Sequence, residues 1–147
     1  MCTCLEKYGP LLGRLLLSTI FIIAGIQKIT DFSGTMAYMA SKGIPLANVL
    51  LVCAIVVELG AGLLVLVGWQ ARWAALALFL FVLVVTPIFH PVWNDQMLLQ
   101  NYRDFIKNLT IMGGLVYVMV YGSGPLSLGR DAWCKGATGG APMPREP

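Results

Sequence analysis

Four long apolar runs dominate this 147-residue chain and limit what it can fold into. They cover about residues 10–29, 46–68, 71–91 and 105–122. A helix needs about 20 apolar residues to cross the hydrocarbon core of a bilayer, and in lipid each backbone amide must find its partner within the protein. The runs therefore predict an all-α fold, a polytopic membrane protein with a bundle of four transmembrane helices and short loops.

The composition agrees with a membrane protein and excludes other classes. Charged residues make up 12% of the chain and hydrophobic residues 58%, whereas a soluble domain carries about 25% charged residues. A soluble globule and a disordered chain are therefore excluded. The net charge of +3, with no basic patch, argues against nucleic acid as a partner and leaves the lipid bilayer as the predicted surroundings.

The runs divide the chain into three parts. Residues 1–9 form a short terminal segment, residues 10–128 the membrane domain, and residues 129–147 a flexible tail rich in Gly and Pro. A tight turn is predicted at residues 68–71, and a short interfacial helix in the loop of residues 30–45. Four crossings place both termini on one side. That side has more Lys and Arg, so cytoplasmic termini are predicted.

Charged residues inside the predicted spans are the informative exceptions, because they are costly in lipid and usually face the interior of a bundle. On the first helix, Arg14, Ser18, Phe21, Gly25 and Lys28 recur at steps of four and three. These residues share one narrow face. This face is predicted to point inward.

The second helix carries one charged residue, Glu58, near the middle of the predicted span. A carboxylate at that depth needs a cationic partner. Arg14 and Lys28 are the two candidates, each about one turn in from its end of the first helix. Both side chains are long enough to reach inward.

Several polar side chains are predicted to meet at the depth of the loops. Lys28 ends the first helix, His90 ends the third, and Lys107 with Asn108 begins the fourth. We expect them to surround a polar cavity that has Glu58 at its floor. His90 and Glu58 are the predicted catalytic residues, since imidazole and carboxylate exchange protons.

Structural roles remain alternatives for each of these residues. The lysines could extend to lipid headgroups, and Arg14 with Glu58 could be a purely structural pair. His90 could lie at the interface, and Asn108 could hydrogen-bond between helices. The four cysteines do not have the spacing of a zinc site, and their role stays open: Cys2, Cys4, Cys53 and Cys134.

Several stretches in combination resemble the DoxX family of small bacterial membrane proteins. The resemblance covers about residues 10–128. It is carried by residues 14–17 (RLLL), 24–32 (AGIQKITDF), 38–45 (YMASKGIP), 57–62 (VELGAG) and 105–109 (FIKNL), with Gly68, His90, Gly113 and Gly114.

The resemblance implies a four-helix protein of the bacterial inner membrane. Family members include a subunit of a terminal quinol oxidase and a thiosulfate:quinone oxidoreductase, and others are linked to quinone or thiol-stress handling beside soluble redox enzymes. The matching polar positions in this chain are Arg14, Lys28, Glu58, His90, Lys107 and Asn108.

Two hypotheses of function follow. The first is a membrane redox subunit that binds a quinone-like or small anionic substrate through Lys28, Lys107, Asn108 and Arg14, with quinone as the cofactor. The sequence has no haem, flavin or iron–sulfur motif, so electrons would come from a soluble or membrane redox partner. The alternative is a non-enzymatic scaffold or small transporter that recruits a soluble partner. A homo-oligomer fits both hypotheses.

Overall fold

The computed structural model describes residues 2–89 and 98–129, with side chains from Cys4 to Phe89 and from Leu99 to Gly129. The predicted His90 and the tail of residues 130–147 lie outside this part of the chain. Five helices are described: α1 (Cys2–Thr30), α2 (Phe32–Ser41), α3 (Ala47–Val67), α4 (Ala71–Phe89) and α5 (Leu98–Tyr121).

Three segments of the described chain are long and apolar enough to cross a membrane. They are Cys4–Thr30, Ala47–Val67 and Ala71–Phe89. The last helix, α5, has 24 residues and differs because Arg103, Asp104 and Lys107 lie in its first half. The all-helical class is therefore confirmed, while the described helices do not establish four crossings.

The helix ends differ from the predicted bounds at two places. α1 begins at Cys2 and continues through Pro10, so residues 2–9 of the predicted terminal segment are helical. α5 begins at Leu98, seven residues before its apolar run. The loop of residues 30–45 does contain a short helix, α2, as predicted.

α1 and α3 are antiparallel neighbours. They approach closely where one of the two helices has a glycine. A Cβ added at Gly25 would lie 2.6 Å from the Leu59 side chain, and one at Gly62 would lie 3.3 Å from Phe21. Small residues let helices in a membrane approach closely. The inward face predicted for the first helix is thus in contact with α3 at Phe21 and Gly25.

α4 is central in the packing, since it contacts both α3 and α5. Its buried face contains Ala71, Ala74, Ala75 and Leu78, which meet residues of the other helices in one core. α1 and α5 touch only narrowly, with Leu17 against Gly114. The four long helices are therefore arranged in the order α1, α3, α4, α5 around the core.

The predicted tight turn between α3 and α4 is confirmed. Gly68 ends α3 in the left-handed conformation, at φ +74°, and its amide donates to the carbonyls of Leu64 and Val65. The chain after α5 returns to this turn, where the Leu128 amide donates to the Val67 carbonyl at 3.1 Å. The segment of residues 122–129 is therefore attached to the end of α3.

Candidate functional site

The candidate site arises because α1 ends early relative to α3. Gly25 lies against Leu59 and Phe21 against Gly62, so the antiparallel register brings the last turn of α1 beside residues 54–57. The first two turns of α3 therefore extend past α1. α2 follows directly and packs against both α1 and α3, which covers the space that α1 leaves.

An ion pair between α1 and α3 lies beneath this space. The Lys28 ammonium donates to both carboxylate oxygens of Glu58, at 2.9 and 2.8 Å. The Glu58 side chain is 6% exposed and that of Lys28 27%. A carboxylate that has lost its hydration needs such donors, so each residue explains the position of the other.

A cavity of about 820 Å³ lies beside the ion pair and is lined by residues of α1, α2, α3 and α4. This volume is within the range of small-molecule sites. Lys28 and Glu58 are at the surface of the cavity, while most of its wall is apolar and includes Leu51, Val57 and Phe81. The site thus combines the Lys28–Glu58 pair with a mainly hydrocarbon lining, to which Gln27, Thr30, Asp31 and Thr35 add a few polar groups.

α2 covers the cavity through two of its side chains. Met39 is buried, and the Tyr38 ring stacks on Phe89 of α4 with 5.8 Å between ring centroids. Both residues line the cavity, as does Phe89. The short helix therefore connects the end of α1 to the end of α4 above the Lys28–Glu58 pair.

The predicted site residues are only partly brought together. Lys28 and Glu58 meet in the cavity. His90 lies outside the described residues, directly after the cavity-lining Phe89. Lys107 pairs with Asp104 at 2.8 Å, with its side chain 53% exposed.

Asn108 and Arg14 have partners away from the cavity. The Asn108 amide donates to the Thr86 hydroxyl at 3.0 Å, which links α5 to α4. Arg14 donates to the Leu126 carbonyl and contacts Gly68. Gly68 follows Glu58 by ten residues of α3, which is about 15 Å along a helix, so Arg14 does not take the predicted role of holding Glu58.

Most of the apolar lining and the contribution of α2 to the cover were not predicted as parts of the site. Tyr38, Met39 and Cys53 line the cavity, and their sequence context is an interfacial helix and an apolar run. One sequence signal could have indicated this lining. The first apolar run ends a few residues after Gly25, and a helix that ends early leaves part of the neighbouring helix uncovered.

Comparison with known proteins identifies the family of this chain. The family model described as DoxX matches residues 9–91, which include the Lys28–Glu58 pair and all of α2. The chain belongs to the DoxX family.

Two curated relatives come from Escherichia coli K12. The DoxX chain described here is 37% identical to the inner membrane protein YqjF over 126 residues, covering 86% of this chain and 93% of that protein. It is 33% identical to the inner membrane protein YphA over 122 residues, covering 82% and 87% of the two chains. No solved structure matches this chain. The relatives establish a membrane protein family.

Proposed function

We propose that this DoxX protein is a membrane redox subunit that binds a quinone-like molecule in the cavity beside Lys28 and Glu58. The observation that carries the proposal is the placement of one charged pair against a mainly apolar wall. A quinone has a flat apolar ring with oxygen acceptors at its edge. The ring fits the hydrocarbon lining, and the oxygens need donors near it.

Lys28 is the donor for a ligand oxygen. An ammonium group has three N–H bonds, and two of them point to the carboxylate oxygens of Glu58. The third N–H bond of Lys28 is left for an oxygen of the ligand. Glu58 holds the charge of Lys28 in place, and its carboxyl group can deliver a proton to an oxygen of a quinone that is being reduced.

A small anion fits the same site less well. Glu58 already balances the charge of Lys28 at two short contacts, and an anion beside the carboxylate would meet repulsion at low dielectric. The apolar wall offers such an anion little in exchange for its hydration. The geometry therefore favours the quinone-like ligand over the anionic one.

Conversion of a quinone to a quinol takes up two electrons and two protons when the ligand is bound. The proposal assigns proton handling to Glu58 and to His90, and it assigns electron delivery to a redox partner protein. Within the chain, the described residues bind and orient the ligand and exclude water from its oxygens.

The proposal includes a membrane arrangement. α1, α3, α4 and α5 cross the bacterial inner membrane, and both termini lie in the cytoplasm. α5 is about 36 Å long at 1.5 Å per residue, which exceeds the thickness of the hydrocarbon core. Its charged first half can therefore extend into the headgroup layer while Asn108 bonds to α4.

Binding of a short-chain ubiquinone to purified protein in nanodiscs tests the site. Lys28→Met removes the hydrogen bond from a charged donor to the ligand, which contributes about 1.5–3 kcal/mol. We therefore expect the affinity of this variant for the ubiquinone to fall about 10- to 100-fold. Lys107→Met is the matched control, because that lysine pairs with Asp104 outside the cavity. Its affinity should stay within about twofold of the wild type.

A second variant separates loss of binding from loss of folding. Lys28→Met leaves Glu58 without its partner, so Lys28→Met/Glu58→Gln removes both charges and relieves the buried carboxylate. Both variants should elute as the wild type does and should bind weakly. Wild-type affinity in the folded double variant would contradict the site. Absence of binding by the wild type would favour a scaffold or transporter.

A further inference from the structure

A groove between α3 and α4 continues outward from the cavity. Its α3 side contains Leu50, Cys53 and Val57, at helical steps of three and four, and its α4 side contains Phe81, Val84 and Ile88 at the same steps. Each set spans seven residues, or about 10 Å along its helix. Two facing apolar stripes therefore line a channel rather than a round pocket.

The outer part of this groove faces away from the bundle. Leu50 is 45% exposed, Val84 59% and Ile88 45%, although all three line the cavity. The inner part ends at Glu58, which is buried. The same cavity thus extends from a charged pair in the interior to the flank of two helices.

The flank that the groove reaches belongs to two apolar helices. Ala47–Val67 and Ala71–Phe89 are both long and apolar enough to span a membrane, and the groove lies within these segments. Glu58 is eleven residues from the start of α3, about 16 Å along the helix. A molecule that touches Glu58 and leaves past Val84, which is 59% exposed on α4, therefore passes the apolar flank of two helices that can span a membrane.

We infer that the ligand is an amphiphile with a long hydrocarbon tail, and that this tail lies in the groove of residues 50–57 and 81–88 while the polar head meets Lys28 and Glu58. The inference rests on the proposed function for the identity of the head. It adds the tail and its position, and it distinguishes a lipid-soluble quinone from a water-soluble one. The occupant follows from the continuity of the groove with the charged pair.

The experiment must test where the tail lies, because the total affinity of a tailed ligand does not show this. Lipid chains are as apolar as the groove, so a tail gains little when it moves between them. A longer tail raises apparent affinity by partition into the bilayer alone. The test must therefore close the groove and compare two ligands that share one head.

Val84→Trp and Ile88→Trp each place an indole in the outer groove, at positions where the present side chains are 59% and 45% exposed. Leu83→Trp is the matched control, because Leu83 is 48% exposed on the same helix and does not line the cavity. Equilibrium binding is measured in nanodiscs for a decyl-tailed ubiquinone and for the same ring carrying methyl in place of decyl. We expect either groove variant to weaken the tailed ligand at least tenfold and the tailless ligand less than threefold.

The outcomes separate the inference from the proposal beneath it. If both groove variants weaken binding of the tailed and tailless ligands equally, or weaken neither, the proposed tail position is wrong. The proposed site for the head is not affected by that result. A comparable loss in Leu83→Trp would also overturn the tail position. Binding of neither ligand to the wild type would overturn the proposed function and the inference together.

Discussion

A buried arginine defines the end of the molecule opposite the cavity. Arg14 is 2% exposed, donates to the Leu126 carbonyl and contacts Gly68 where α3 ends. The last carbonyls of a helix carry partial negative charge, which a nearby cation stabilises. Arg14 therefore joins α1 to the end of α3 and to the segment of residues 122–129.

Gly68→Ala is expected to destabilise this end. Gly68 has a φ of +74°, and a Cβ there would overlap the Arg14 guanidinium. The left-handed conformation alone costs a residue with Cβ about 1–2 kcal/mol, so the free energy of unfolding in detergent should fall by at least about 1 kcal/mol. Gly60→Ala is the control, since a Cβ at Gly60 meets nothing within 4 Å. Equal stability of the two variants would contradict the arrangement.

Which cation meets Glu58 could be predicted from sequence only as a choice between two. Arg14 and Lys28 share a face of α1, and periodicity gives faces but not the axial register between helices. The close approaches at Gly25 and Gly62 fix that register, and they bring Lys28 to Glu58 and Arg14 to the end of α3. Lys107 and Asn108 lie on α5, and no described residue of α5 lines the cavity.

Among the helices, α2 determines how open the cavity is. Asp31 caps the helix, with its carboxylate accepting from the Gly34 amide at 3.2 Å. Tyr38 then contacts Phe89 across the cavity. The stability of this short helix therefore determines how well the cavity is covered.

Asp31→Ala should loosen α2 without unfolding the bundle. Loss of an N-cap costs about 1 kcal/mol, which corresponds to about fivefold faster amide exchange in the first turn of α2. Ser33→Ala, at an exposed position of the same turn, is the control and should leave exchange within about twofold. Hydrogen–deuterium exchange with mass spectrometry measures both variants. Unchanged exchange around Gly34 in Asp31→Ala would show that the cap does not hold the helix.

Hydropathy predicted the helices well where lipid contact determines the sequence and less well elsewhere. α3 and the observed part of α4 lie within the predicted bounds, because nearly every residue in them is apolar. Residues 2–9 and 98–104 are polar enough to read as loop, yet they continue α1 and α5. A helix can continue beyond its apolar residues because its backbone hydrogen bonds do not depend on hydropathy. Hydropathy therefore does not show where such a helix ends.

At the scale of the whole molecule, the number of crossings determines where the cavity faces. If α5 spans with the other three long helices, the α1–α3–α4–α5 arrangement is complete. The segment of residues 122–129 then returns to the membrane face where α3 ends, as its bond to Val67 requires. The α2 cover then lies on the opposite face, near Lys42. An α5 that lay on the surface would leave its contact with α4 exposed at Leu115 and Val118, which are buried.

Cysteine labelling in oriented vesicles tests this topology. In a variant without native cysteines, three single sites are compared: Cys4 restored, Lys42→Cys, and a cysteine added after Pro147. We expect Cys4 and the C-terminal site to react with a membrane-impermeant maleimide from one side, the cytoplasmic one, and Lys42→Cys from the other. Such a result requires an even number of crossings, because both termini then lie on the same side of the bilayer. Labelling of Cys4 and the C-terminal site from opposite sides would instead establish three crossings, and α5 would then be a surface helix.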